Sequence, residues 1–205
     1  KLEKRFSRRH QFMVTYTNMH SRDNNPLSRY LDPIKADIDW GPSSGERRHA
    51  LVASGSVLLP MDVTLGAVWS LRSQLPWNAT AGRDLNVDGF NTDLVPGTTR
   101  NSGSRDLDLT VVNAWRAANG RAAIPDSQIA SSRINLLDVR ASKAIRHGAT
   151  TRIDLMAQAL NLFDTDNLQA QYGGGRVTNA LSNGFGRFLT ARPGRQAELA
   201  VRLLW

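Results

Sequence analysis

The chain of 205 residues contains no cysteine and no long apolar run. Without cysteine it forms no disulfide framework, thiolate zinc site or cysteine nucleophile. Without a run of about eighteen apolar residues it forms no transmembrane helix. The composition does not exclude a transmembrane β-barrel, because each strand of a barrel needs only a short segment of alternating polarity.

Positive charge is in excess, since 26 Lys and Arg residues against 18 Asp and Glu residues give a net charge of +8. A strongly basic domain is one sign of nucleic-acid binding. Here the basic residues are dispersed along the chain, apart from one cluster at Lys4-Arg5 and Arg8-Arg9. No RNP-like, helix-turn-helix or zinc-finger pattern accompanies them. We therefore expect no nucleic-acid partner.

The last eleven residues, 195–205, alternate between apolar and polar side chains. This period predicts a strand with one apolar and one polar face. The apolar positions are Ala197, Leu199, Val201, Leu203 and Trp205. A strand that stops on an aromatic residue resembles the C-terminal strand by which the barrel assembly machinery recognises and inserts outer-membrane β-barrels. These five residues are the predicted assembly signal, and the alternative is an ordinary half-buried strand.

Seven segments show alternation of this kind, at 1–6, 11–20, 48–59, 63–72, 134–146, 151–163 and 195–205. We predict an all-β fold of about seven antiparallel strands. Several segments have the ten or so residues that a tilted strand needs to cross a bilayer.

The connections between these segments alternate between short and long. Tight turns alternate with the polar loops 21–46, 74–133 and 164–194, and the second loop contains a helix-like run from Val111 to Ala118. Antiparallel neighbours joined in this way have all tight turns on one rim and all long loops on the other. Outer-membrane barrels have this design, with short periplasmic turns and long extracellular loops. The pattern predicts a location in the outer membrane of a Gram-negative cell.

Polar side chains occur in the middle of the predicted strands. Arg152, Asp154 and Gln158 alternate with apolar residues in the segment 151–163. A packed soluble core would have to desolvate them at a high cost in free energy. A wide lumen removes that cost, so we predict that these three residues face a lumen. The opposite face, as at Val63, Leu65, Ala67 and Trp69, then meets the lipid.

Several short motifs, in their order and spacing, carry a family resemblance. They are Arg47-Arg48-His49, Leu59-Pro60, the loop Asp84 to Asp93, Asp138-Val139-Arg140-Ala141-Ser142-Lys143, Asn161-Leu162-Phe163-Asp164 and the strand Pro193 to Trp205. Together they resemble the C-terminal region of TonB-dependent outer-membrane receptors, most closely the Oar-like or carboxypeptidase-regulatory-like branch.

The resemblance implies energised uptake without catalysis. Receptors of this family have about 22 strands around a plugged lumen. Residues 1–205 would be the C-terminal portion of such a barrel, a fragment from which the plug, the TonB box and the N-terminal strands are absent. The implied partners are outer-membrane lipid, TonB through the missing N-terminal part, and a small-molecule, glycan or peptide substrate.

One loop segment fits the opening of a calcium-binding loop. Asp84-Leu85-Asn86-Val87-Asp88-Gly89 places side-chain oxygens at alternate positions before a glycine. The twelfth position, which should be acidic, is Val95, and the nearest carboxylate is Asp93. If Ca²⁺ binds, we expect Asp84, Asn86, Asp88 and Asp93 as ligands; the alternative is a solvated turn. No other cofactor is expected. A soluble all-β binding module with a calcium-stiffened loop is the alternative function.

Overall fold

The computed structural model describes residues 1–24, 31–32, 34–104, 106–148, 151–168 and 175–205. Parts of all three predicted long loops therefore lie outside the described residues. The main element is an antiparallel sheet of seven strands, which confirms the predicted all-β fold. Its strands in spatial order are β1 (Leu2–Ser7), β2 (His10–Asn18), β5 (His49–Leu59), β6 (Val63–Arg72), β7 (Ile134–His147), β8 (Thr151–Leu160) and β9 (Gln196–Leu204).

The register of the sheet keeps two faces separate from one edge to the other. One transverse row is apolar and consists of Phe12, Gly55, Ala67, Val139, Ala159 and Ala197. The next row is largely polar and consists of Gln11, Ser56, Gly66, Arg140, Gln158 and Glu198. A shift of one residue in any pairing would mix the rows, because side chains alternate between faces. The sequence alternation therefore becomes one apolar surface and one polar surface.

The two tight turns that the structure describes in full lie at one rim of the sheet. Arg8 and Arg9 have φ of 49° and 68°, and Met61 and Asp62 have φ of 62° and 57°. Two successive left-handed residues match the right-handed twist of the strands that they connect. Leu204 pairs with Arg152 near the same rim, so Trp205 lies there too. Among the described residues β1 and β9 each pair with a single neighbour, so the sheet is open.

Strand β8 ends earlier than the sequence predicts. The alternation extends to Phe163, but the strand stops at Leu160. Asn161 has φ of 51°, and its Nδ2 donates to the carbonyl oxygen of Thr165 over 3.1 Å. Asparagine tolerates this left-handed conformation, which turns the chain out of the sheet.

The long loops contain more regular structure than their composition predicts. The first, predicted to hold no strand, contains the short paired strands β3 (Arg22–Asp23) and β4 (Gly41–Pro42). In the second, helix α1 (Leu109–Ala118) begins before the predicted run. Asp108 explains this start, because its side chain accepts a hydrogen bond from the backbone N–H of Thr110 and caps the helix. In the part of the chain described, no helix is long and apolar enough to span a membrane.

The hydrophobic core lies in the loops rather than on the sheet. Buried residues from the second and third long loops pack together, namely Trp77, Ala79, Val95, Val112, Ile124, Ala180 and Phe185. We call the described parts of 21–46, 74–133 and 164–194 the loop cap. It is a packed structure at one rim, whereas much of the sheet surface is exposed.

Candidate functional site

A cleft runs across the polar face of the sheet. Its lining includes Glu3 and Arg5 from β1, Asp138 and Arg140 from β7, and Gln158 from β8. Residues from β1 to β8 therefore border one cleft on the polar face. A second cleft crosses the apolar face, where Leu65, Ala157 and Leu199 line it.

The three residues predicted to face the lumen lie on this face. Gln158 is directly opposite both Arg140 and Glu198, and its Nε2 donates a hydrogen bond to Glu198 Oε2. Arg152 Nε lies 2.6 Å from Asp154 Oδ1 in an ion pair along the same strand. These contacts satisfy polar groups within the face, which solvent can also reach. That the face lines a lumen stays a prediction.

The predicted assembly signal occupies the apolar face of β9. Ala197, Leu199, Val201 and Leu203 pair with Ala159, Ala157, Leu155 and Ile153 of β8. Trp205 follows the strand and is 89% exposed. These side chains form one unbroken apolar strip beside the free edge of β9. Recognition of this strip by an assembly machinery stays a prediction.

Aromatic side chains line the apolar face near the loop cap. Trp69 Nε1 donates to Asn135 Oδ1 over 2.8 Å, and its ring meets Phe163 edge to face with centroids 6.5 Å apart. Tyr16 stacks on His49 with centroids 6.2 Å apart. Aromatic rings with a polar tip are typical of the interface between lipid and water.

The side-chain oxygens of the acidic loop 84–93 accept hydrogen bonds from backbone N–H groups of the same loop. Asp84 accepts hydrogen bonds from the N–H groups of Asp88 (3.1 Å) and Gly89 (2.8 Å). Asn86 Oδ1 accepts from Asp88 N at 3.1 Å, and Asp93 Oδ2 from Leu85 N at 2.6 Å. Among the described residues no three His, Asp or Glu side chains form a metal-binding group. Calcium binding stays a prediction, and a calcium titration of the protein tests it.

Three buried arginines join the loops of the cap to one another. Arg116 of α1 donates from Nε to Ala122 O (2.7 Å) and from Nη1 to the carbonyl oxygens of Ala180 and Ser182. It therefore joins the second long loop to the third. Burial lowers the pKa of Arg116, and the positive charge of Arg121 lowers it further.

Arg176 of the third loop contacts the second loop through a hydrogen bond and an aromatic ring. Its Nη2 donates to Ala130 O over 2.6 Å, and its guanidinium carbon lies 4.5 Å from the ring centre of Trp77 and 4.1 Å from that of Phe188. Desolvation lowers the pKa of Arg176 to about 10, so it stays charged at neutral pH. The charge is therefore held by carbonyl oxygens and aromatic faces.

Arg100 makes the third link, from the second loop to the first. Its Nη1 lies 2.7 Å from both Asp23 Oδ1 and Asp39 O. Sequence reasoning missed all three arginines, because each is a single basic residue in a polar loop. Only their burial, at 3% exposure for Arg100, 2% for Arg116 and 6% for Arg176, distinguishes them from solvated side chains.

An antiparallel sheet with one apolar face, and with short turns on one rim opposite long loops on the other, is the design of an outer-membrane β-barrel protein. Residues 1–198 match the model of the family described as outer membrane beta barrel domain, and the chain belongs to that family. No curated protein and no solved structure matches the chain. The family places the chain in the outer membrane, and the alternative of a soluble all-β binding module is not retained.

Proposed function

We propose that the chain is part of a TonB-dependent outer-membrane receptor that takes up a solute and catalyses no reaction. The loop cap captures the solute at the outer rim, and the polar face of the sheet lines the path through the membrane. TonB is the proposed periplasmic partner. The proposal is carried by the open sheet of the described residues, together with the packed loop cap at one of its rims.

The open edges favour a large barrel. An unpaired strand edge in lipid leaves backbone N–H and C=O groups without partners, at a cost of several kcal/mol for each group. Strands β1 and β9 therefore pair with further strands in the membrane. Barrels with many strands have room for the plug that energised uptake requires.

The motifs that carry the family resemblance also contact each other. Asn161 N donates to Asp138 Oδ1 over 2.9 Å, and Arg195 N donates to Asp164 Oδ1 over 2.8 Å. The turn Asn161-Leu162-Phe163-Asp164 therefore ties the end of β8 to β7 and to the start of β9. Such a turn fixes the place where the third long loop leaves the barrel wall.

Two measurements test this function on the whole receptor that contains this chain, isolated from outer membranes. The first is binding of the purified periplasmic domain of TonB, and the second is conductance in a planar bilayer. A plugged receptor binds TonB and conducts little current. Steady conductance without TonB binding would instead identify a passive pore and overturn the proposal.

A further inference from the structure

A single charged side chain lies on the apolar face of the strands from β5 to β9. Of the residues on that face of these five strands, all of which the structure describes, only Lys143 is a Lys, Arg, Asp or Glu residue. It lies on β7, opposite Val63 of β6 and Leu155 of β8, and is half-buried. A lysine on the lipid face costs free energy, and the cost falls as the side chain approaches the surface of the bilayer.

Lys143 lies close to the rim that carries the tight turns. Its partner Val63 is the first residue of β6, directly after the turn 60–62. The backbone N–H of Ala144 donates to Asp62 O of this turn over 3.3 Å. Short turns of outer-membrane barrels lie on the periplasmic side. Because the aliphatic stem of a lysine can lie along apolar surface, the ammonium group of Lys143 reaches the headgroups of the periplasmic leaflet.

The protein supplies no counter-charge for Lys143. Within the described ranges, the ion pairs involve other basic residues, and the Lys143 ammonium group donates no hydrogen bond. Lys4 on β1 also lies on the apolar face, in register with Phe12, but its Nζ donates to Ser7 O (3.0 Å) and to His10 O (3.2 Å). Lys143 therefore differs from Lys4 in that its charge is left for an external anion.

A patch of small side chains adjoins Lys143 on the side away from the turns. We call it the alanine patch, and it consists of Ala67, Ala141, Ala157, Ala159 and Ala197, which all line the cleft on the apolar face. Ala141 and Ala157 are paired with each other, between Leu65 on β6 and Leu199 on β9. Two alanines between two leucines leave a depression in the surface. The cleft has a volume of about 730 Å³, which lies within the range of small-ligand pockets.

We propose that Lys143 and the alanine patch bind one anionic phospholipid of the periplasmic leaflet. The lipid phosphate accepts a charge-assisted hydrogen bond from the ammonium group of Lys143. An acyl chain fills the depression and gains dispersion contacts with its lining. Along β7, Lys143 is nearer to the periplasmic turns and Ala141 is nearer to the middle of the membrane, which is the order of headgroup and acyl chain in the leaflet.

The net charge of the lipid follows from the same geometry. In a zwitterionic phospholipid the phosphate already has a cationic group of its own headgroup beside it, whereas an anionic phospholipid has an uncompensated negative charge for Lys143. The site faces away from the lumen, so the proposal is independent of the uptake function.

Native mass spectrometry tests the site on the whole receptor that contains this chain, delipidated and then titrated with phosphatidylglycerol. We expect K143Q to weaken binding of one phosphatidylglycerol by about tenfold or more, because the variant loses a charged donor. K143R keeps the charge and should retain the lipid. The matched control is R146Q, which removes a charge from the polar face of the same strand and should bind as the wild type does. Phosphatidylcholine, which is zwitterionic, should bind the wild type more weakly.

A second pair of variants tests the acyl-chain part of the site. A157L fills the depression while Lys143 is kept, and it should lose the same lipid. A53L adds the same volume on the apolar face, opposite Val14 and Trp69 and outside the cleft, and it should not. Resistance of the folded barrel to unfolding on an SDS gel shows that each variant is intact.

Several results would overturn the proposal. They are equal binding of phosphatidylglycerol by K143Q or A157L and the wild type, an equal loss in R146Q, or equal affinity of the wild type for phosphatidylcholine. A dimer mass that A157L abolishes would also overturn it, since a second copy of the receptor would then cover this face. TonB binding is measured on the same samples and should not change, so a failed lipid site and a failed receptor assignment give different results.

Discussion

Arg116 Nη1 donates a hydrogen bond over 2.8 Å to the carbonyl oxygen of Ser182, 66 residues later in the chain. The bond joins the helix of the second long loop to the third long loop. Arg116 is fully buried, and its other bonds also go to backbone carbonyl oxygens. Two loops that leave the sheet at different strands therefore form a single packed structure, and its integrity depends on this guanidinium group.

Arg116→Met should open the loop cap. The substitution preserves most of the apolar volume but leaves three carbonyl oxygens without their donor, at a cost of about 3 kcal/mol in cap stability. Hydrogen exchange of amides in the second and third loops measures the effect, with Arg121→Met as the control. Arg121 is exposed and lowers the pKa of Arg116 by repulsion, so its removal should leave exchange unchanged or slower. Equal exchange in Arg116→Met and wild type would contradict the prediction.

Gly103→Ala should disturb the same core by overpacking. A Cβ at this position would overlap the indole ring of Trp77, which packs against Phe185. Forcing extra volume into a packed site costs about 1–3 kcal/mol. Gly45→Ala is the control, because a Cβ there has no atom within 4 Å. Faster proteolysis of the cap in Gly103→Ala alone is the expected result, and comparable rates in both variants would argue against a packed core.

Two adjacent positions of β6 should differ in how well they tolerate arginine. Ala67 lies on the apolar face opposite Val139, whereas Val68 lies on the polar face opposite Asp138. Ala67→Arg puts a charge into lipid and should lower the free energy of unfolding by about 2–4 kcal/mol. Val68→Arg gains a carboxylate neighbour and should be tolerated. Urea unfolding in lipid vesicles measures both, and a larger loss in Val68→Arg would reverse the assignment of the two faces.

Trp205→Ala should slow assembly more than it lowers stability. The side chain is almost fully exposed and makes few contacts that the folded sheet could lose. If the strip from Ala197 to Trp205 is read by the assembly machinery, truncation of its aromatic end lowers the rate of insertion. Pulse labelling followed by heat-modifiability measures that rate, with Gln196→Ala on the polar face of β9 as the control. If the Trp205→Ala variant enters the membrane at the wild-type rate, the prediction that Trp205 belongs to an assembly signal is wrong.

The sequence alone determined the sheet, its two faces and the rims that its connections occupy. Alternation with period two depends on the covalent geometry of an extended chain, so it can be read without knowledge of any partner strand. The alternation of short turns and long loops then determines which strand ends lie at the same rim of the sheet. For this reason the segment 63–72 was predicted with the bounds that β6 has.

The loop cap was decided by tertiary structure. Arg100, Arg116 and Arg176 look like solvated loop residues in the sequence, and only contacts between distant loops bury them. Contacts of this range depend on how loops fold over a finished sheet, and no local periodicity encodes them.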